Sequence, residues 1–590
     1  MSTRRVQSSA IKPRTLGAAA AITPWVRNPS WLALTAVGSS EEKFAGVVAV
    51  FPQGSYLALS AAGNYTVDWG DGASENVNTG VTANKLYDFN DVDLDNTNGP
   101  VTLTDAGDLI ERTAHGYSNG MEVRFYNIVS TTGLTAAQTY YVINATANDF
   151  QVAATVGGSA IALSTNGSAT LLPYKQAIVT VTPNGGTLTS ININVRNTTT
   201  GLQSYETGWL DIEVGSPNFT GITLAGDGTV RFAMCERVAV RSIGSVTNLS
   251  NFFVTYRKLQ EVILGNTAAV TNMNQMFFNC PTLTTGPTCN TAAVTNMGGM
   301  FRNCISLALV PLYNTAAVTN MTNMFQECRA LTTIPLFNTA AVTNMSQMFA
   351  NCTSLVDVPL LNTAAVTNMS IMFSGCRSLP TIPLFNTAAV TNMSQMFNPC
   401  GALTTIPLLN MALVTDTTEM FRDCAFSTVP LFNLAALTNA RQMFQNCVKL
   451  TAVPLFNTAA ATNMSGMFNG CTSLATVPLL NTAAATNMSG MFNSCSSLSS
   501  VPALNVSAAS SSANLSNMFN GCNSLSRIQA EDFRFTFSVA NCKLGATELN
   551  EIYTNLPTVA TTQTITVTGN HGTAGDDPTI AENKGWTVAG

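Results

Sequence analysis

Fourteen cysteines and two histidines are the side chains of this 590-residue chain with the most versatile chemistry. Ten of the cysteines recur at a spacing of about 24: Cys280, Cys304, Cys328, Cys352, Cys376, Cys400, Cys424, Cys447, Cys471 and Cys495. A thiolate can attack a carbonyl, bind a soft metal or enter a disulfide, and each use has a spacing requirement. Structural zinc sites draw ligands from close in sequence, and the chain has no CxxC and no Cys/His cluster. Disulfide frameworks belong to short secreted chains and lack one strict period. Thiols in one slot of successive units fit a column of small buried hydrophobes, so no metal, cofactor or disulfide is expected.

The carboxylates offer little more. Asp416 and Glu419 lie one turn apart, with Asp357 and Asp423 among the few others in the repeats. Glycoside cleavage needs a close acid pair, and the period supplies none at matching slots, so the chain is not expected to be an enzyme; Asp416 and Glu419 keep a capsule depolymerase as the weakest option. His115 and His571, each beside glycine, read as solvated turn residues rather than triad members. Asp68 and Asp71, in Asp68-Trp-Gly-Asp-Gly72, could offer oxygens to calcium, but few other ligands lie nearby and a tight turn is preferred. No phosphate-cradling P-loop spacing is present.

The elements that position these residues come from the repeat. One unit is Asn362-Thr-Ala-Ala-Val-Thr-Asn-Met-Ser-Ile-Met-Phe-Ser-Gly-Cys376-Arg-Ser-Leu-Pro-Thr-Ile-Pro383-Leu-Phe. Self-similarity at this period marks a solenoid whose units bury their apolar faces only by stacking. Leu355-Val-Asp-Val-Pro-Leu360 predicts a strand with Val358 and Leu360 on one face. Thr367-Asn368 sits where an N-cap belongs, ahead of Met369, Met372 and Phe373 at helical spacing, which predicts a short helix. A proline column from Pro287 to Pro502 removes a donor in each strand, so that slot must be one the intercoil ladder does not use. Ten coils at about 4.8 Å each would be roughly 50 Å long.

Two residues after each proline stand Tyr313, Phe337, Leu361, Phe385, Leu409, Phe432 and Phe456. If strand alternation holds through the proline, they form an exposed stripe that would bind glycan or protein; if the chain bends there, they turn into the core. The sequence leaves both open.

The spacing Leu355-xx-Val358-x-Leu360-x-Asn362, with Val-Thr-Asn-Met-Ser-x-Met-Phe-xx-Cys, resembles the BspA-type leucine-rich repeats of bacterial surface proteins and phage structural proteins. That resemblance implies an α/β solenoid of 24-residue coils over 209–540, preceded by mainly β domains and followed by a capping unit at 541–590. Residues 541–553 suggest a helix, and Gln563–Asn570 a strand. Asp68–Gly72 resembles the turn of PKD-like modules, which implies an immunoglobulin-like sandwich from 46–96 plus 174–208, with a small β domain inserted at 97–173. Residues 1–45, with Arg4, Arg5, Lys12 and Arg14, read as an arm for attachment to a larger assembly.

Charged residues are only 10% of the chain and the net charge is −6, which excludes a broad basic field for nucleic acid or anionic lipid. The first residues lack the continuous apolar run of a secretion signal, and no segment is apolar enough to span a bilayer as a helix. Similarity to the tail-fibre and virion proteins of tailed bacteriophages implies a structural and adhesive virion protein, assembled in the host cytoplasm. It would dock to other virion proteins through its N-terminal region, meet a host glycan or protein through its solenoid, and form a homo-oligomer such as a trimer. A bacterial cell-surface adhesin is the alternative.

Overall fold

The computed structural model describes residues 25–590, except 28–30, 51–54, 88–99, 113–118, 121, 124, 130, 137, 139, 172–174, 194–207, 225–233, 503, 505–512 and 529–532. The basic residues of the arm, Arg4 to Arg14, and His115 lie outside the described residues.

β-Branched and aromatic runs in the N-terminal part pair into two sheets that share one core. A seven-stranded sheet runs in the order Glu261–Leu264, Arg237–Ser242, Trp209–Gly215, Lys43–Val50, Lys175–Pro183, Tyr65–Asp68, Ser74–Val77. A four-stranded sheet has the order Gly221–Thr223, Ser190–Asn192, Ser55–Ala62, Thr82–Tyr87. Phe44, Val48, Leu57, Leu59, Tyr65, Val179 and Trp209 pack between them. The immunoglobulin-like expectation thus meets a mixed arrangement. Lys43–Val50 pairs antiparallel with both neighbours, but Trp209–Gly215, Arg237–Ser242 and Glu261–Leu264 run parallel.

The last parallel step pairs Arg237 with Glu261, already one repeat apart. The N-terminal sheet therefore becomes the first rungs of the solenoid without a linker. One continuous core runs from Phe44 to Trp586.

Part of the predicted arm belongs to this body. Trp31 packs with Val47, Ala49 and Leu210, and Arg27 reaches the buried Asp211 at 2.7 Å. The inserted block forms its own seven-stranded sheet around Leu103, Ile110, Phe125, Tyr140, Val142 and Phe150. Its two outermost strands, Glu122–Val123 and Phe125–Val129, are neighbours in sequence, so the sheet curls back on itself.

From there the chain winds as a long β-solenoid of about 14 turns. A column of parallel bridges joins Asn248, Asn272, Asn296, Asn320 and their successors to Asn514. The end of the stack is covered by helix Ala546–Asn555 and a three-stranded parallel sheet, Phe537–Ser538, Gln563–Thr566 and Trp586–Ala589. Among the described residues no helix is long and apolar enough to cross a membrane.

Candidate functional site

Each coil is set by where its backbone donors go. In one unit, Met345, Gln347, Phe349 and Asn351 donate to Asn368, Ser370, Met372 and Ser374 of the next coil, at 3.1, 2.9, 2.9 and 2.6 Å. The intervening Met348, Ala350 and Cys352 donate three residues back within their own coil. An α-helix needs every N–H directed to the fourth preceding carbonyl. With alternate donors committed to a neighbour, the predicted short helix is replaced by a chain of tight turns. The turns require left-handed residues four apart, such as Gln347 at φ 58° and Asn351 at φ 60°. Asn344 does not cap a helix; its Oδ1 accepts the Ser346 N–H at 2.9 Å and closes an Asx turn.

This winding delivers three columns to the interior. The ten repeat cysteines are buried, and each Sγ lies 3.0 to 3.3 Å from the carbonyl of a phenylalanine in the preceding coil, as in Cys352 to Phe325. Burial pushes the thiols up, to about 12 for Cys304, Cys424 and Cys471, which removes them from nucleophilic chemistry near neutral pH. Beside them the rings from Phe253 to Phe519 stack coil on coil, with centroids 5.2 to 5.9 Å apart.

The third column corrects the exposed-stripe expectation. Tyr313, Phe337, Leu361, Phe385, Leu409, Phe432 and Phe456 are all buried. The aromatic members pack on the first aromatic column, as Phe385 does on Phe373 at 6.1 Å and Phe432 on Phe421 at 5.9 Å. The cause is local. Phe385 N–H donates to the Pro383 carbonyl and Leu409 N–H to that of Pro407, both at 2.9 Å, each closing a three-residue turn that breaks strand alternation.

In these and the neighbouring coils the residue just after the proline is thrown outward. Leu312, Leu336, Leu360, Leu384, Leu408, Leu431, Leu455 and Leu479 are 58% to 70% exposed, in eight successive coils. Leu360, predicted to point inward beside Val358, is one of them. The stack thus carries a contiguous ridge of leucines, one per coil, beside rings that repeat one coil apart at 6.4 Å for Tyr313–Phe337 and 6.2 Å for Phe432–Phe456. Between the preceding core residue and the following asparagine, Asp357 is the one charged side chain in all eight coils. Isolated exposed leucines need no explanation, but a contiguous apolar row marks an interaction surface. The sequence did carry a signal for it: the residue after each of these eight prolines is always leucine, whereas the next varies among Tyr, Phe and Leu.

The remaining candidates are used by the fold. Asp416 takes an asparagine slot, its Oδ1 accepting from Thr418 N–H at 2.8 Å, while the buried Glu419 meets Arg422 and Arg441 at 3.3 and 3.5 Å. Each carboxylate is thus engaged by neighbours within the stack. Asp71 pairs with Lys85 and accepts the Ala73 N–H at 3.1 Å, and Asp68 accepts that of Gly70 at 2.9 Å, inside a tight hairpin. Among the described residues no group of three His, Cys, Asp or Glu side chains is placed to hold a metal ion.

The family model described as "Mycoplasma protein of unknown function, DUF285" matches 233–332, 286–380, 331–430, 356–454 and 415–533, together just over half of the chain. Its overlapping matches follow the repeat. No curated protein matches. Similar solved structures include a leucine rich cell surface protein from Faecalibacterium prausnitzii A2-165, at 15% identity and TM-score 0.27, covering 58% of this chain and 89% of that one. A leucine-rich repeat protein from Eubacterium ventriosum is 17% identical with TM-score 0.26, covering 52% and 76%. The functional domain of InlJ from Listeria monocytogenes, described as including a cysteine ladder, is 13% identical with TM-score 0.16, covering 64% and 74%.

Proposed function

The chain belongs to the DUF285 family, and from that premise we propose that it is a non-catalytic adhesion protein acting by surface contact along its solenoid. The observation that carries this reading is the leucine ridge. Eight exposed apolar side chains in register are costly to leave in water, and the core does not need them. The interior thiols and rings are consumed by packing, and Asp416 and Glu419 are held in a turn and in ion pairs, which leaves the outer face as the working part.

The setting we propose is a bacterial cell surface, since the family is described from Mycoplasma. The virion fibre implied by resemblance to tailed-phage proteins is the competing setting. Labelling intact cells and purified particles with antibody to the chain separates the two. The ridge is tested with the full chain carrying Leu336→Ser, Leu384→Ser and Leu431→Ser. Binding to whole bacterial cells should fall while the melting temperature holds; undiminished binding with the ridge removed would end this reading.

A further inference from the structure

We infer that the partner of the leucine ridge is a second copy of this chain, so that adhesion is homophilic. This rests on the contact reading above and names its partner.

Three features of the ridge favour self-pairing. The first is commensurate spacing. Every rung is one coil from the next, and the coils are joined elsewhere by the same alternating backbone ladder, so the interval repeats from coil to coil. A second copy carries the same row at the same interval and can match it rung for rung. A partner with any other period drifts out of register within a few coils.

The second is uniformity. At the rung itself the side chain is leucine in all eight coils, whereas the residue three positions before it varies, from Leu309 and Thr333 to Asp357, Thr381 and Ala452. A face that reads an irregular partner needs different side chains at different rungs; a face that meets its own copy needs one size throughout.

The third is charge and area. Asp357 is the one charge in the strip, so the ridge offers no electrostatic complement to a charged partner and little repulsion to itself. The leucines alone expose roughly 300–600 Å² of apolar surface. Exposed flanking residues such as Thr333, Asn338, Thr381 and Asn386 widen the strip toward the roughly 800 Å² per partner typical of a stable complex. Hydrophobic anchors at the centre with a hydroxyl and amide rim is the arrangement such interfaces take.

The test uses the full chain and the triple variant Leu336→Ser, Leu384→Ser, Leu431→Ser, with circular dichroism and melting temperature to certify folding. Sedimentation velocity at micromolar concentration should show a self-associated wild type, and the triple variant should dissociate about tenfold more readily or further. Beads coated with wild type should clump, and beads coated with the variant should not. A monomeric wild type whose beads stay dispersed, but whose binding to cells still depends on the three leucines, overturns homophilic pairing and leaves the contact reading in place. Wild type and variant alike in sedimentation, clumping and cell binding would overturn both. A single Leu384→Arg variant provides a second check, since facing rungs would place a charge against leucine and abolish clumping if the copies meet here.

Discussion

The Sγ of Cys376 lies 3.1 Å from the carbonyl oxygen of Phe349, one coil back, and that carbonyl also accepts the Cys352 N–H at 3.0 Å. The thiol is therefore a donor within the stack as well as a small hydrophobe, and burial pushes it well up. Cys376→Asp places a carboxylate among stacked rings and should lower the melting temperature sharply and open the solenoid to protease. Cys376→Ala removes the sulfur and its hydrogen bond and should cost about 1–2 kcal/mol in urea unfolding. Wild-type stability in the Asp variant would mean the column is not buried.

Ile371 adopts φ 61°, where other coils place Asn323, Gln347 or glycine. A β-branched side chain is disfavoured there, so Ile371→Asn should raise stability by about 1 kcal/mol. Gly375 is the matching left-handed residue four positions on, at φ 76°, and an added Cβ would sit 2.2 Å from Asn351 Oδ1. Gly375→Val should therefore destabilise. Thermal melts of the two variants moving in opposite directions is the outcome to look for; a destabilised Ile371→Asn would show that the side chain's packing outweighs its backbone cost.

The period, the cysteine slot and the asparagine column were legible because one residue type at a fixed interval demands equivalent surroundings in every coil. The course of the chain between those marks was not. Met369, Met372 and Phe373 show the same apolar spacing whether the backbone closes a helix or a series of turns, and what decides is the destination of donors such as Met369 N–H, which lies in the next coil. Around Pro383 the ring fixes its own φ, but inward or outward depends on Leu384, whose turn is closed by Phe385. A one-residue change of conformation there exchanged the exposed and buried positions, and the exposed row moved from Phe385 to Leu384.

That exchange is directly testable as neighbouring substitutions with opposite consequences. Phe337, Phe385 and Phe432 each fill the interior, so replacing any one by Ser should cost about 3–5 kcal/mol or more and leave the array prone to proteolysis. Replacing Leu336, Leu384 or Leu431, one residue earlier, should change stability by no more than about 0.5 kcal/mol. Equal destabilisation at both positions in chemical unfolding would contradict the turn at the proline.

The first rungs of the stack are tied to the N-terminal sheet by buried charge. Arg237 meets Asp211 at 2.8 Å, Glu213 at 2.5 Å and Glu261 at 2.9 Å, and Arg241 adds a second contact to Glu213 at 2.9 Å. Arg237→Met leaves Asp211 to Arg27 and Glu213 to Arg241 alone and should cost about 3 kcal/mol, the low end for a broken buried pair. The same cluster sets an acid limit. Burial alone would raise the Glu213 carboxyl, but hydrogen bonds from Arg241 and Arg237 hold it below its usual 4.5. A carboxylate depressed in the fold contributes stability above the unfolded value, and that contribution is lost as pH falls through the folded one. Glu236 acts in the other direction, since burial raises it and the fold gains when it is protonated. In a Glu236→Gln background, stability should therefore decline on acidification below about pH 4.5, and Glu213→Gln should flatten that decline. A pH profile of unfolding unchanged by Glu213→Gln would place the acid sensitivity elsewhere.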